Sequence, residues 1–258
     1  MSILSGPSLG RLDLTGRATL ITGAAQGMGE ATARLLAERG ANVLVADVNG
    51  EGAAQVAKDI GEKAVAFTVD VTDPDACFAM VAAALEHFGR LDAAVNNAGI
   101  TPEGSCIADT TLEDWRRLIA TNLESVFYCM RAELPPMLEA GQGSIVNIGS
   151  IMSEAGLETA GAYTAAKHGV LGLTRTAALE YSPQGIRFNC VGPGYMDTPM
   201  SKRGSEIPEV RDRMLGFQSV PRLGHDWEVA EMCAFLASDA STFCTGAYYP
   251  VDGGYFAR

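Results

Sequence analysis

An α/β fold is predicted for this sequence: a single domain on a doubly wound, seven-stranded parallel sheet with helices on both faces. Three features predict it. Seven short apolar runs rich in β-branched residues recur along the chain, helix-period segments separate them, and 258 residues with 47% hydrophobic composition suffice for one large core. Strands alternating with helices are buried on both faces, which is why the runs are almost wholly apolar.

The strands are expected at 18–22 (ATLIT), 42–47 (NVLVAD), 64–71 (AVAFTVDV), 92–96 (DAAVN), 144–148 (SIVNI), 186–191 (IRFNCV) and 247–251 (AYYPV). Helices are expected at 27–39, 51–60, 75–88, 112–134, 160–181 and 227–237, with Asp73-Pro74 supplying an N-cap and a first-turn proline for the third. Residues 1–10 read as a tail and 11–258 as the domain. Within it, 194–216 is a long polar, Met-bearing loop beside a strand end, a position that suits substrate binding.

A formal net charge of -12 opposes contact with nucleic acid and with anionic membranes, so neither is an expected partner. The six cysteines have no C-x-x-C spacing and no histidine near them in sequence, which points to free thiols in a reducing cytosol and to no metal. There is no basic segment followed by an apolar run at the start, nor an apolar stretch of membrane-spanning length. The expected location is the cytoplasm.

Between the first strand and first helix, Gly23, Gly27 and Gly29 are spaced G-x-x-x-G-x-G, with Gln26 and Met28 between them. Missing side chains let a backbone pass close to a pyrophosphate, and the helix N-terminus adds free N–H groups and positive dipole. The second strand ends at Asp47, where an acid can accept hydrogen bonds from an adenosine ribose; a plain helix N-cap would look the same. A ribose 2′-phosphate would bring more negative charge to this carboxylate, and Ala24, Ala25 and Val48 offer no compensating Arg or Lys. NAD is therefore favoured over NADP. Asp70 and Val71, closing the third strand, are placed to flank the adenine, although an Asp there also suits a turn.

Tyr163 and Lys167 stand four apart in the helix-period stretch GAYTAAKHGVLGLTRT, so they share one face, while His168 is turned away. A free tyrosine has a pKa near ~10 and is a feeble base at neutral pH. One cation about 4 Å away, at an effective dielectric of ~20, is worth roughly 4 kcal/mol, or about three pKa units before desolvation is subtracted. That moves the phenol towards the range where a proton shuttle works best.

These residues resemble the short-chain dehydrogenase/reductase family, over nearly the whole chain from Gly16 to Gly254. The family's T-G-x-x-x-G-x-G motif appears as Thr22 to Gly29, its N-N-A-G as Asn96-Asn97-Ala98-Gly99, and its Y-x-x-x-K as Tyr163 and Lys167. Its serine thirteen positions before the tyrosine is Ser150, its helix asparagine is Asn122, and its P-G segment is VGPGYMDTPM. The resemblance implies a Rossmann-type fold and a homotetramer paired through the helices 112–134 and 160–181. It also implies a catalytic set of Asn122, Ser150, Tyr163 and Lys167. Tyr163 would exchange the proton, Lys167 would lower its pKa and hold the nicotinamide ribose, Ser150 would orient the substrate oxygen, and Asn122 would disturb its helix and hold a water on a proton path. It places Asn97, Ala98 and Gly99 at the cofactor, with Pro193, Gly194, Met196 and Thr198 bordering the nicotinamide. Met196 replaces a more usual branched aliphatic residue, and IGS replaces the commoner double serine.

The implied reaction is reversible hydride transfer between NAD and a secondary alcohol or ketone. Two rivals are an NADPH-dependent ketoacyl reductase of the same fold and a non-catalytic dinucleotide-binding sensor or scaffold. For the substrate, Ser150 and Tyr163 are expected to meet the reacting oxygen. Met152, Tyr195 and Met200, with Ile100 and Met214, would line an apolar pocket suited to a cyclic or aryl alcohol. Glu154 and Glu158, if they reached the site, would favour a polar ligand instead.

Overall fold

The computed structural model describes residues 12–257; the expected tail at 1–10 lies outside them. In chain order the elements are β1 (Ala18–Thr22), α1 (Gly27–Glu38), β2 (Asn42–Asp47), α2 (Gly50–Ile60), β3 (Ala64–Thr68), α3 (Pro74–Phe88) and β4 (Ala93–Asn96). There follow α4 (Leu112–Ile119), a π-turn (Ala120–Glu124), α5 (Ser125–Ala140), β5 (Gly143–Ile148), α6 (Gly161–Tyr181) and β6 (Ile186–Pro193). The chain continues through β7 (Met196–Asp197), α7 (Pro199–Ser205), α8 (Pro208–Gly216), β8 (Gly224–His225), α9 (Asp226–Ala237) and β9 (Tyr248–Val251).

Seven strands form one parallel sheet in the order β3-β2-β1-β4-β5-β6-β9. The order reverses between β1 and β4, where an open α/β sheet leaves a crevice at its carboxyl edge. Each face has its own core. Met80, Val81, Cys129, Met130, Val170 and Leu171 from α3, α5 and α6 cover one, and Ala33, Leu36, Ala53, Val56, Val229 and Cys233 from α1, α2 and α9 cover the other. All five residues of β1 are buried, as a central strand requires. Asp73 caps α3 by accepting from the Asp75 N–H at 2.9 Å, with Pro74 in the first turn.

Three elements differ from the sequence reading. The third strand ends at Thr68, so Asp70 and Val71 lie beyond it; Asp70 turns the chain by accepting from the Thr72 N–H and hydroxyl at 2.9 and 2.7 Å. The single helix expected at 112–134 is α4, a π-turn and α5 end to end, and it runs past Pro135 and Pro136 to Ala140. Each proline removes one N–H from the ladder, but only the last turn and a half is affected, and Met137 in that turn is fully buried against Gly143. The loop at 194–216 is instead a flap made of β7, α7 and α8. Pro199 and Pro208 each stand at a helix start, where a missing N–H costs nothing, and β7 is pinned by pairing with β8. Among the described residues no helix is long and apolar enough to cross a membrane.

Candidate active site

The carboxyl ends of β1, β4, β5 and β6 open on two adjoining cavities. The first, about 600 Å³, is lined by Gly23, Gln26, Gly27, Met28, Asp47, Val48, Asp70, Val71, Asn97, Ala98, Gly99 and Thr198, with Arg117 and Thr121. Gly23 and Gly27 have φ of 64° and 58°, in the left-handed region that side chains avoid. A Cβ at Gly23 would stand 2.9 Å from the Ala98 Cα. Gln26 begins α1 with no side-chain cap, so the first-turn N–H groups are left for a ligand. Asn97 secures the turn: its Nδ2 donates to the Thr22 and Gly23 carbonyls, both at 3.0 Å, while the Thr22 hydroxyl accepts from the Asn97 and Ala98 N–H groups at 3.0 and 3.1 Å. Gly29 does not line the cavity. It packs behind it, where a Cβ would lie 2.1 Å from the Gly23 oxygen.

Asp47 accepts from the Ala25 N–H at 2.9 Å and the Asn49 N–H at 2.8 Å, which fixes its carboxylate at the cavity edge. It is not the N-cap of α2, because Asn49 takes that position and accepts from the Gly52 N–H at 3.1 Å. Among the described lining residues of this cavity the one cation is Arg117, which is bound by Asp114 at 3.1 Å and Glu103 at 3.4 Å. The glycine turn, open helix start and fixed acid together fit an adenine dinucleotide.

The second cavity, about 730 Å³, brings together Asn122, Ser150, Tyr163, Lys167, Pro193, Gly194, Tyr195, Met196, Thr198, Met152, Met200, Met214 and Ile100. Glu154 and Glu158 are not among its walls. They pair outside with Arg175 and Arg213, both at 3.0 Å, which removes the reason to expect a polar ligand from them.

Ser150, two residues beyond the end of β5, caps a short 3-10 turn, its hydroxyl accepting from the Met152 N–H at 3.1 Å. The Tyr248 hydroxyl, 98 residues away, donates to the Ser150 carbonyl at 2.9 Å. Nothing in the sequence signals that support. Asn122 is fully buried in the π-turn, donating to the Leu118 carbonyl at 3.1 Å and accepting from the Ile100 N–H at 3.0 Å. A wide turn of this kind inside an α-helix is frequent at functional sites. Met196 is buried against Gly224, whose missing side chain leaves room for the thioether.

Lys167 is buried, and its Nζ donates to the Ile148 carbonyl at 2.8 Å and lies 5.6 Å from the centre of the Tyr163 ring. The lowered phenol pKa expected from the spacing is not what these side chains produce. Burial pushes Tyr163 above its ordinary value, and the Ser150 hydrogen bond pulls it only partly back. Burial also lowers Lys167 to about 8, against a smaller opposing effect of the Cys190 thiol. The ammonium is spent on a carbonyl and is itself easily neutralised, so desolvation outweighs its pull on the phenol.

A family model described as enoyl-(acyl carrier protein) reductase matches residues 23–256. Cyclohexanol dehydrogenase of Acinetobacter sp. strain SE19 is 44% identical over 245 residues, 94% of this chain and 96% of that protein. Cis-4-hydroxycyclohexanecarboxylate dehydrogenase of Sinomonas cyclohexanicum is 46% identical over 93% of this chain and 97% of that one. A solved structure of a putative NAD(P)-dependent gluconate 5-dehydrogenase from Beutenbergia cavernae, with NADP bound at low occupancy, superposes with a TM-score of 0.91. It is 33% identical and covers 96% of this chain and all of its own. The sheet order, the crevice at its reversal and matches of this length leave one conclusion: the chain belongs to the short-chain dehydrogenase/reductase family.

Proposed function

We propose that the protein is an NAD-dependent dehydrogenase of cyclic secondary alcohols, working reversibly on the corresponding ketones. The observation that carries this reading is the second cavity, in which Ser150, Tyr163 and Lys167 stand among Ile100, Met152, Met200 and Met214. Bound across the two cavities, the nicotinamide cofactor would accept or supply the hydride. Tyr163 takes or returns the hydroxyl proton, Ser150 orients the substrate oxygen, Lys167 holds the nicotinamide ribose, and Asn122 keeps a proton path open to Lys167. Burial sets the free phenol high and the Ser150 hydrogen bond opposes it; the positive charge of a bound oxidised nicotinamide would lower the phenol further towards operating pH. The ring-alcohol substrate is supported by the apolar lining and by the two relatives named for cyclohexanol and hydroxycyclohexanecarboxylate. The test is NADH formation at alkaline pH over cyclic alcohols, steroids, sugars and hydroxy acids. Cyclic alcohols should be turned over with the highest kcat/KM, and a preference for sugars would sink the reading.

The choice of NAD rests on Asp47. Replacing it with Ala should lower the NAD/NADP ratio of kcat/KM by about 10- to 100-fold, the worth of a charge-assisted hydrogen-bond pair of roughly 1.5–3 kcal/mol. An unchanged ratio would remove Asp47 from the choice, whereas a wild-type preference for NADP would favour the rival NADPH-dependent ketoacyl reductase; a structural neighbour has NADP bound. We further propose a cytoplasmic protein that assembles as a homotetramer; support for the assembly comes from Trp115, Phe127 and Leu179, exposed on α4, α5 and α6.

A further inference from the structure

Beneath the site runs a buried polar ladder that the proposed chemistry does not use. Glu133 on α5 is fully buried, and its Oε2 accepts from the Asn96 Nδ2 on β4 at 3.2 Å. The same Nδ2 donates to the Asn147 Oδ1 on β5 at 3.0 Å, and the Asn147 Nδ2 donates to the Thr174 hydroxyl on α6 at 2.9 Å. Asn96 and Asn147 are register partners, and all four residues are at most 2% exposed. The ladder therefore ties α5 to α6 along the sheet face they share, by way of β4 and β5. One residue further along β5 is Ile148, whose carbonyl holds the Lys167 Nζ at 2.8 Å.

A leucine would fill the place of Glu133 without desolvating an acid, so packing alone does not account for it. Two buried oxygens, Glu133 Oε1 and Asn96 Oδ1, have no donor. A neutral carboxylic acid brings one donor to this pair, and a carboxylate brings none.

We propose that Glu133 is a positioning residue, which through Asn96 and Asn147 fixes the end of β5 and so the carbonyl that anchors Lys167. The proposal rests on the reading of Lys167 as part of the reacting group. Burial pushes Glu133 up to about 8, with the Asn96 hydrogen bond acting the other way. Near neutral pH the ladder then holds a neutral acid, and alkali places a charge inside it. The buried titratable groups on the elements packed around it are Cys129 on α5, Cys77 on α3, Cys190 on β6 and Lys167 on α6. The Cys77 hydrogen bond and burial raise Cys129 well above its usual range, burial raises Cys190 to about 11, and burial lowers Lys167 to about 8, in the same window as Glu133. Comparing wild type with Glu133→Gln separates the two, because Lys167 is common to both.

The ratio of Glu133→Gln to wild-type kcat should rise from near one at about pH 6.5 to several-fold at about pH 9.5, as the wild-type ladder ionises. A folded Glu133→Leu variant should lose kcat about tenfold with its Kd for NADH within about threefold of wild type, and Gln should restore most of that loss. Without cofactor, Tm supplies a readout independent of turnover. A carboxyl raised in the folded state gives stability that is lost as pH rises towards about 8, so wild type should fall relative to Glu133→Gln across that range. A flat kcat ratio, or a folded Glu133→Leu variant with wild-type kcat, overturns the proposal. If Glu133→Leu does not fold, the ratio decides. Failure of the dehydrogenase reading would show differently, as wild-type protein that turns over no alcohol in the panel while the Tm difference persists.

Discussion

Tyr163→Phe should lower kcat for alcohol oxidation by about 10³-fold, roughly 4 kcal/mol in the barrier, with the Kd for NADH within about threefold of wild type. The change removes one oxygen and keeps the ring, which is half-buried and lies near the Lys167 Nζ. Lys167 itself stays in place, because its hydrogen bond goes to the Ile148 carbonyl and not to the phenol. The loss should therefore fall on kcat while cofactor binding is spared. The pH profile provides a second reading. A phenol whose pKa desolvation has raised must lose its proton to act as a base, so wild-type oxidation should climb as pH rises from neutral. In Tyr163→Phe that climb should vanish along with the rate. A folded variant that binds NADH and turns over alcohol at the wild-type rate would remove Tyr163 from the chemistry.

The order of strands and helices was legible because a doubly covered sheet writes its strands as unbroken apolar runs and its helices as periodic ones. The turn after β1 was legible because only glycine tolerates the backbone at Gly23 and Gly27. The π-turn was not legible in the residues themselves, since ATNLE has the composition of any helix; the family resemblance implied a disturbance at Asn122, and its form shows once Asn122 is seen bonding Leu118 and Ile100 at once. The flap was hidden by a polar, Met-bearing composition that read as a loop, although Pro199 and Pro208 begin helices there. The sign of the Tyr163 shift was hidden for a deeper reason. Spacing places a cation on the same helical face, but it carries no account of how deeply the pair is buried or that the Ile148 carbonyl, nineteen residues back, takes the ammonium. Desolvation is a property of the assembled fold, and here it outweighs the local pair.

Gly29→Ala should disrupt both the fold around the glycine turn and cofactor binding. The new Cβ would stand 2.1 Å from the Gly23 oxygen, 2.6 Å from the Asn97 Nδ2 and 2.8 Å from the Gly23 carbonyl carbon. Two of these are backbone atoms at the end of β1, and the third belongs to the side chain that ties β4 to the same turn through the Thr22 and Gly23 carbonyls. None is the free end of a flexible chain, so relief requires α1 to move away from the sheet. Overpacking of this kind costs about 1–3 kcal/mol, which should appear as a lower Tm without any cofactor present. The same displacement shifts the first-turn N–H groups that would face the pyrophosphate, so the Kd for NADH should rise about 100-fold. Tyr163→Phe should spare both quantities, and this contrast separates the cradle from the chemistry. Wild-type Tm and NADH affinity in Gly29→Ala would mean that the glycine turn neither packs on α1 as drawn nor holds the dinucleotide.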